Sequence, residues 1–234
     1  MGAVFKREFQ SYFTNMIGYI FIAVLIIFIG IYFMAFNLFQ GSPYYAYTLP
    51  SVMTIMMFTI PILTMKSIAE DRRSKTDQLL LTAPISLTKV VFGKFLAMIA
   101  VLAIPLLVSC ICPVIIKLNG TAHLLNDYAC ILVLYLAGCL YVSIGMFISS
   151  LTESQIIAAV GTFAALLILF LWPDLVSFMP AKLSGILGVF NFRGVFYNFV
   201  RYHTFDTAGL VLYISWTLVF IFLTIQQLQK RRWN

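Results

Sequence analysis

Six long apolar runs, separated by short polar interruptions, dominate the chain: about 16–37, 49–66, 90–116, 128–151, 156–172 and 208–226. A helix needs about 20 largely apolar residues to cross the roughly 30 Å hydrocarbon core of a bilayer, and each run offers close to that length. None shows the alternation of a lipid-facing barrel strand, so the pattern predicts six transmembrane helices. The second run is short and carries Pro50 and Pro61. Between the fourth and fifth runs stand only Thr152-Glu-Ser-Gln, which forces those two spans into an antiparallel hairpin.

Ahead of the first run the period is that of an amphipathic helix over 4–14. Phe5, Phe9, Tyr12 and Phe13 gather on one face, and Lys6, Arg7, Gln10 and Ser11 take the other. Such a helix lies in the headgroup layer and enters the first span at an angle, and a plain juxtamembrane anchor would show the same face. The stretch from Pro173 to Thr207 is too interrupted by Pro180, Gly185, Gly188 and Gly194 for a clean span. Trp172 and Pro173 are expected to end the fifth helix. Short re-entrant or interfacial helices should follow, with aromatic side chains at headgroup depth and Arg193, Arg201 and His203 toward water. The predicted fold class is therefore an all-α membrane protein forming a single domain over 1–234, with no internal repeat.

Composition agrees, since 62% of the 234 residues are hydrophobic and 10% charged, too apolar for a soluble domain of this length. A net charge of +7 would suggest nucleic acid in a soluble protein, but its distribution points to orientation in a membrane instead. With a cytoplasmic amino terminus, Lys6, Arg7, Lys66, Arg72, Arg73, Lys75, Lys89, Lys94, Lys230, Arg231 and Arg232 fall inside, and Lys117, Lys182, Arg193 and Arg201 outside. That bias predicts both termini in the cytoplasm and no nucleic-acid partner. The first run is longer than a signal-peptide core and lacks a small-residue cleavage site. Cys110, Cys112, Cys130 and Cys139 lie within spans, where free cysteine packs as a small apolar residue. His203, with Asp206 but no cluster of further ligands, is expected to be a polar group at the surface and not a metal ligand.

The inner connection after the second run carries the most information. Ser74 followed by Asp77 just before Leu79 to Leu81 is a capping-box-like start, and Pro84 ends the helix so begun. A cytoplasmic helix of about two turns over 75–83 would display leucines beside Glu70, Asp71, Arg72 and Arg73, as a helix does that enters a partner's groove. The same leucines could instead dip into the bilayer interface. No phosphate-binding Gly-x-x-x-x-Gly-Lys-Ser/Thr occurs, and Gly93-Lys94 lacks its surroundings; no charge sits deep in any run. A path-forming subunit driven by a separate engine accounts for these absences and for the displayed helix.

Leu63-Thr-Met-Lys-Ser-Ile-Ala-Glu-Asp-Arg-Arg-Ser-Lys-Thr-Asp-Gln-Leu-Leu-Leu-Thr-Ala-Pro-Ile-Ser, followed by Val91-Phe-Gly-Lys-Phe, resembles the permease subunit of ABC-2 type exporters. Ile148-Ser-Ser-Leu-Thr-Glu-Ser-Gln-Ile-Ile-Ala, and the ending from Phe190-Asn-Phe-Arg-Gly-Val through Arg231-Arg-Trp, are similar to the gliding-motility-associated branch of that family. The resemblance implies that 4–14 is an elbow helix with Phe5, Phe9, Tyr12 and Phe13 at the membrane interface, and that 75–83 is the coupling helix. It places Glu70, Arg72 and Arg73 in the charged lead-in, Thr76, Asp77, Leu79 and Leu80 in the coupling helix, and Pro84 at its end. Lys75 stands where the family commonly has glycine, and Asp77-Gln78 where it has glutamate. Two permease chains, identical or different, and two ATP-binding subunits would complete a transporter in the bacterial cytoplasmic membrane. ATP and magnesium would then sit on the partner and no cofactor on this chain. The first and fifth spans would line the seam between halves, where Ala158, Gly161 and Ala165 permit close approach. A membrane anchor that recruits a cytoplasmic partner without transport is the alternative, and ion-coupled transport a third. No residue is a candidate catalyst.

Overall fold

Apolar runs this long leave the backbone only helix as a way to satisfy its own hydrogen bonds in lipid. The computed structural model of the chain describes residues 2–73, 86–120, 123–178, 180, 188–202 and 207–233, and among them there is no strand. Its elements are α1 (Gly2–Thr14), α2 (Ile17–Tyr32), α3 (Leu49–Thr64), α4 (Ala69–Arg73), α5 (Leu87–Ser109), α6 (Ile111–Asn119), α7 (Leu124–Leu151), α8 (Gln155–Ser177), α9 (Phe192–Tyr202) and α10 (Thr207–Trp233). Within the described residues six stretches are long and apolar enough to cross a membrane: Ile17–Phe39, Tyr45–Arg73, Leu87–Asn119, Leu124–Leu151, Gln155–Ser177 and Thr207–Arg231.

The bundle is built around α3 and α7, whose most apolar stretches are 67% and 72% buried, against 22% for α2 and 17% for α8. Small residues let the central pair approach. A Cβ at Gly145 would stand 2.8 Å from the Thr64 Cβ, and one at Gly138 would stand 2.6 Å from both Met56 Cε and Leu102 Cδ2. Helices α10 and α5 pack on α7, and α2 packs on α3 and α5. Close packing of small residues matters here because lipid offers helices no hydrophobic drive to associate.

Two span boundaries differ from expectation. The third span is two helices with a break at Cys110. Pro113 has no N–H for the Ser109 carbonyl, and the Ser109 hydroxyl donates to Leu106 O at 2.7 Å, so the ladder is interrupted there. The fifth helix does not end at Pro173. It runs to Ser177, because the flanking turns stay bonded: Phe178 N donates to Leu175 O at 3.3 Å and Ser177 Oγ to Asp174 O at 2.6 Å. Proline inside a helix removes one bond, and here the rest of the helix outweighs that loss.

At the end of α2 the backbone passes into a π-helix, Phe33–Phe39, which turns the buried Asn37 inward. Its amide donates to Ser42 O (3.0 Å) and Tyr44 O (3.1 Å) and accepts from the Thr48 hydroxyl at 2.6 Å, closing the connection into α3. Ala46 N donates to Asp127 Oδ1 at 3.0 Å, which fastens the same corner to α7.

On that side of the bundle α9 tucks inward. Phe190 and Phe192 lie against Trp216, with ring centroids 5.4 and 5.9 Å apart, and Tyr213 Oη donates to Phe192 O at 2.7 Å. Trp216 lies more than two turns into α10, so the first turns of that helix extend about 13 Å past the level at which α9 begins. Arg193, expected to face water, instead makes two 2.9 Å bonds to Asp174 on α8 and stands 5.0 Å over the Phe170 ring.

Candidate functional site

The opposite end of the bundle carries both chain termini and the start of the inner connection. We call it the terminal face. After α3 the chain turns through Met65–Ile68 and forms α4, five residues that lead directly into 74–85. A helix this short does not hold itself. It is held from α7. Ser149 Oγ accepts from Ile68 N (3.2 Å) and Ala69 N (3.0 Å), which supplies partners for the first amides of α4. In return the Arg72 guanidinium donates through one nitrogen to Ser150 O (2.8 Å) and Thr152 O (2.9 Å), carbonyls at the end of α7 that no further turn can satisfy. Each helix caps the other. Glu153, in the α7–α8 turn, lies 4.0 Å from Arg72 and 3.8 Å from Arg231 of α10.

A second charged group ties the other side of α4. Lys94, on the second turn of α5, is 4% exposed. A buried ammonium is tolerated only when its three N–H donors are matched. Here Asp71 (2.8 Å), Ser67 O (2.8 Å) and Glu8 (3.0 Å) match all three. Arg7 adds a 2.7 Å bond to Glu8, so two cations and two carboxylates balance. Glycine at 93 brings α1 close enough for this: a Cβ there would stand 3.0 Å from Val4 Cγ1.

Burial works against the charge of Glu8, but attraction to Lys94 and the hydrogen bonds from Arg7 and Lys94 outweigh it, and its pKa lies below the ordinary 4.5. Burial, with the negative charge of Glu8 behind it, pushes the Tyr12 phenol up, so that its hydroxyl stays protonated toward Leu63 O, 3.4 Å away. A carboxylate with a lowered folded pKa stabilises the fold above its ordinary value, and that contribution is lost as pH falls through the folded value. Melting of the detergent-solubilised protein and of Glu8→Gln between about pH 7 and pH 3 should show it. The stability gap between the two is expected to be full near neutrality and to close below 4.5. A gap that does not change with pH would remove the ionised Glu8 from the account.

The sequence-predicted residues divide in three ways. In the lead-in, Glu70 is half-exposed and pairs with Lys66 at 3.3 Å, Arg73 is exposed, and Arg72 is turned into the bundle rather than toward a partner's rim. Thr76, Asp77, Leu79, Leu80 and Pro84, and with them the helix expected over 75–83, lie outside the described residues, as do His203 and Asp206. In the elbow, Phe5, Phe9 and Phe13 form a ladder of half-buried rings with centroids 5.8 and 5.0 Å apart. Tyr12 leaves that ladder and is buried against the bundle. Of the small residues on α8, Ala158 is buried within its own chain, Gly161 sits against Ile148 of α7, and Ala165 is half-buried. The exposed stripe of α8 is Ile157, Val160, Ala164, Ile168, Leu171 and Leu175.

Glu8 and Ser149 escaped the sequence reading. Glu8 had a signal: the one acid in the amphipathic helix, four residues before Tyr12 and so on its face. Together these contacts link α1, α4, α5, the α7–α8 turn and α10 in one charged belt. A displacement of α4 would be felt at once by the elbow and by three spans. None of the curated proteins compared matches the chain. The model of one family, described as ABC-2 family transporter protein, matches residues 3–231, from the first turn of the elbow to the last turns of α10, and the chain belongs to that family.

Proposed function

We propose that the chain is the membrane-spanning permease subunit of an ATP-driven exporter, and that residues 75–83 dock on a separate ATP-binding subunit. The observation that carries the reading is the position of α4, which leads into that segment and is gripped on one side through Arg72 and on the other through Asp71 and Lys94. A push on 75–83 would then reach the α7–α8 hairpin and the elbow together. ATP and magnesium would be bound by the partner, with no cofactor on this chain. The bias of Lys and Arg toward the terminal face supports an orientation with both termini in the cytoplasm of a bacterial cell membrane. A second permease chain, identical or different, would seat on the little-buried α2 and on α8 along Ile157, Val160 and Ala164 as far as Ala165, leaving Ile168 and the turns beyond it to lipid. Likeness in 148–158 and at the carboxy end supports the gliding-motility-associated branch.

The test uses the full chain co-produced with the protein encoded beside it, which this reading expects to carry nucleotide-binding motifs. Leu79→Glu with Leu80→Glu is expected to abolish copurification and the stimulation of ATP hydrolysis in proteoliposomes, while α1 to α10 remain folded. Variants that still copurify and stimulate hydrolysis as the parent does would refute docking at this segment. A neighbour without nucleotide-binding motifs that copurifies through it would favour an anchor or assembly factor.

A further inference from the structure

Between α8, α9 and α10 an apolar groove of about 350 Å³ opens laterally, lined by Trp172, Trp216, Phe190, Phe192, Ala165 and Ile168. Its volume is at the lower end of small-ligand sites. Two observations define what fits it. The first is depth. From Gln155 to Asp174, α8 rises about 28 Å, close to the thickness of a hydrocarbon core. Asp174 and its partner Arg193 therefore lie at the headgroup level remote from the terminal face, while the groove, from Trp172 down to Ala165, covers about 10 Å of acyl depth beneath them.

The second is charge. Arg193 is clamped by two bonds to Asp174 and stacked over Phe170 and Tyr197, and its side chain is 21% exposed; that of Asp174 is 55% exposed. The accessible partner of the pair is the carboxylate. What the rim offers is an acceptor for an amine, with an arginine behind it whose five donors exceed the two bonds already made. An amine and a phosphate, joined to an acyl chain, match the carboxylate, the guanidinium and the groove in that order.

We propose that this is a binding site for one phospholipid of the phosphatidylethanolamine class from the leaflet remote from the terminal face. The ammonium donates to Asp174, the phosphate faces Arg193, and one acyl chain lies between Trp172 and Trp216. The site rests on the membrane-spanning fold and not on transport.

The two groove tryptophans report on it. The chain has three, so Trp233→Phe leaves only Trp172 and Trp216. That protein, full length, is reconstituted in phosphatidylcholine vesicles containing a rising small fraction of phosphatidylethanolamine brominated on its acyl chains, and tryptophan quenching is measured. Quenching is expected to exceed the bulk mole fraction by about tenfold and to saturate, since one charge-assisted hydrogen bond distinguishes the amine from choline. Brominated phosphatidylcholine, which has no N–H, should follow its mole fraction. Asp174→Asn should return phosphatidylethanolamine to that line. Ala165→Phe, which fills the groove and leaves the ion pair intact, should do the same, and it decides the matter if Asp174→Asn does not fold. Quenching that follows mole fraction for both lipids, annular lipid only, overturns the site, as does an excess that survives Ala165→Phe.

Discussion

Lys94→Met is expected to destabilise the protein by about 3–5 kcal/mol, the cost of leaving buried charges without their partner. The substitution keeps length and apolar stem but removes all three donors. Glu8 and Asp71 then face one another across the space the ammonium filled, and Ser67 O loses its 2.8 Å donor. Unfolding by titration with a denaturing detergent measures the loss. The triple variant Lys94→Met, Glu8→Gln, Asp71→Asn, which leaves only the exposed charge of Arg7 in the cluster, should recover much of it, because the deficit is one of uncompensated buried charge and not of packing. A Lys94→Met protein as stable as the parent, or a triple variant no better than the single, would show that the cluster is dispensable.

Arg72→Met should separate stability from coupling. The Ser150 and Thr152 carbonyls lose the cation that ends α7, at a cost of about 3 kcal/mol for two charge-assisted bonds. The docking segment itself is untouched. Copurification with the ATP-binding protein is therefore expected to persist, while stimulated hydrolysis and export fall at least about tenfold. Arg72→Lys should fall between, since a shorter, flexible ammonium stem lacks the planar group that orients the one nitrogen now shared by the two carbonyls. If Arg72→Met exports at the parental rate, α4 is not the link between docking segment and spans.

The spans were legible in the sequence because lipid imposes one rule on every residue in a run, and a run of Leu, Ile and Phe says so locally. Their ends were less legible. Pro173 obeys a local rule that favours stopping, yet the turns on either side of it hold α8 together to Ser177. Ser109 and Pro113 are each unremarkable and break the third span only in combination. The candidate site was half visible. The stretch from Glu70 to Arg73 stood out by its charges, but charge alone does not say which side chains leave the water. Arg72 is buried by carbonyls 78 and 80 residues away, and Lys94 by an acid on the opposite side of two spans. Pairings at such separation depend on how helices meet, and no window along the chain contains both partners.

The distance between Glu8 and Lys94 also orders the making of the protein. Helix α1 leaves the ribosome before α5, but the residue that neutralises its buried acid belongs to the third span, and Gly93, against which Val4 settles, comes with it. At about 5–20 residues per second the elbow spends several seconds without its counter-charge. During synthesis it can rest on the membrane surface by its phenylalanine ladder alone. Its final seat exists only after α5 has been inserted, so an element made ahead of the first span is fixed only after the third.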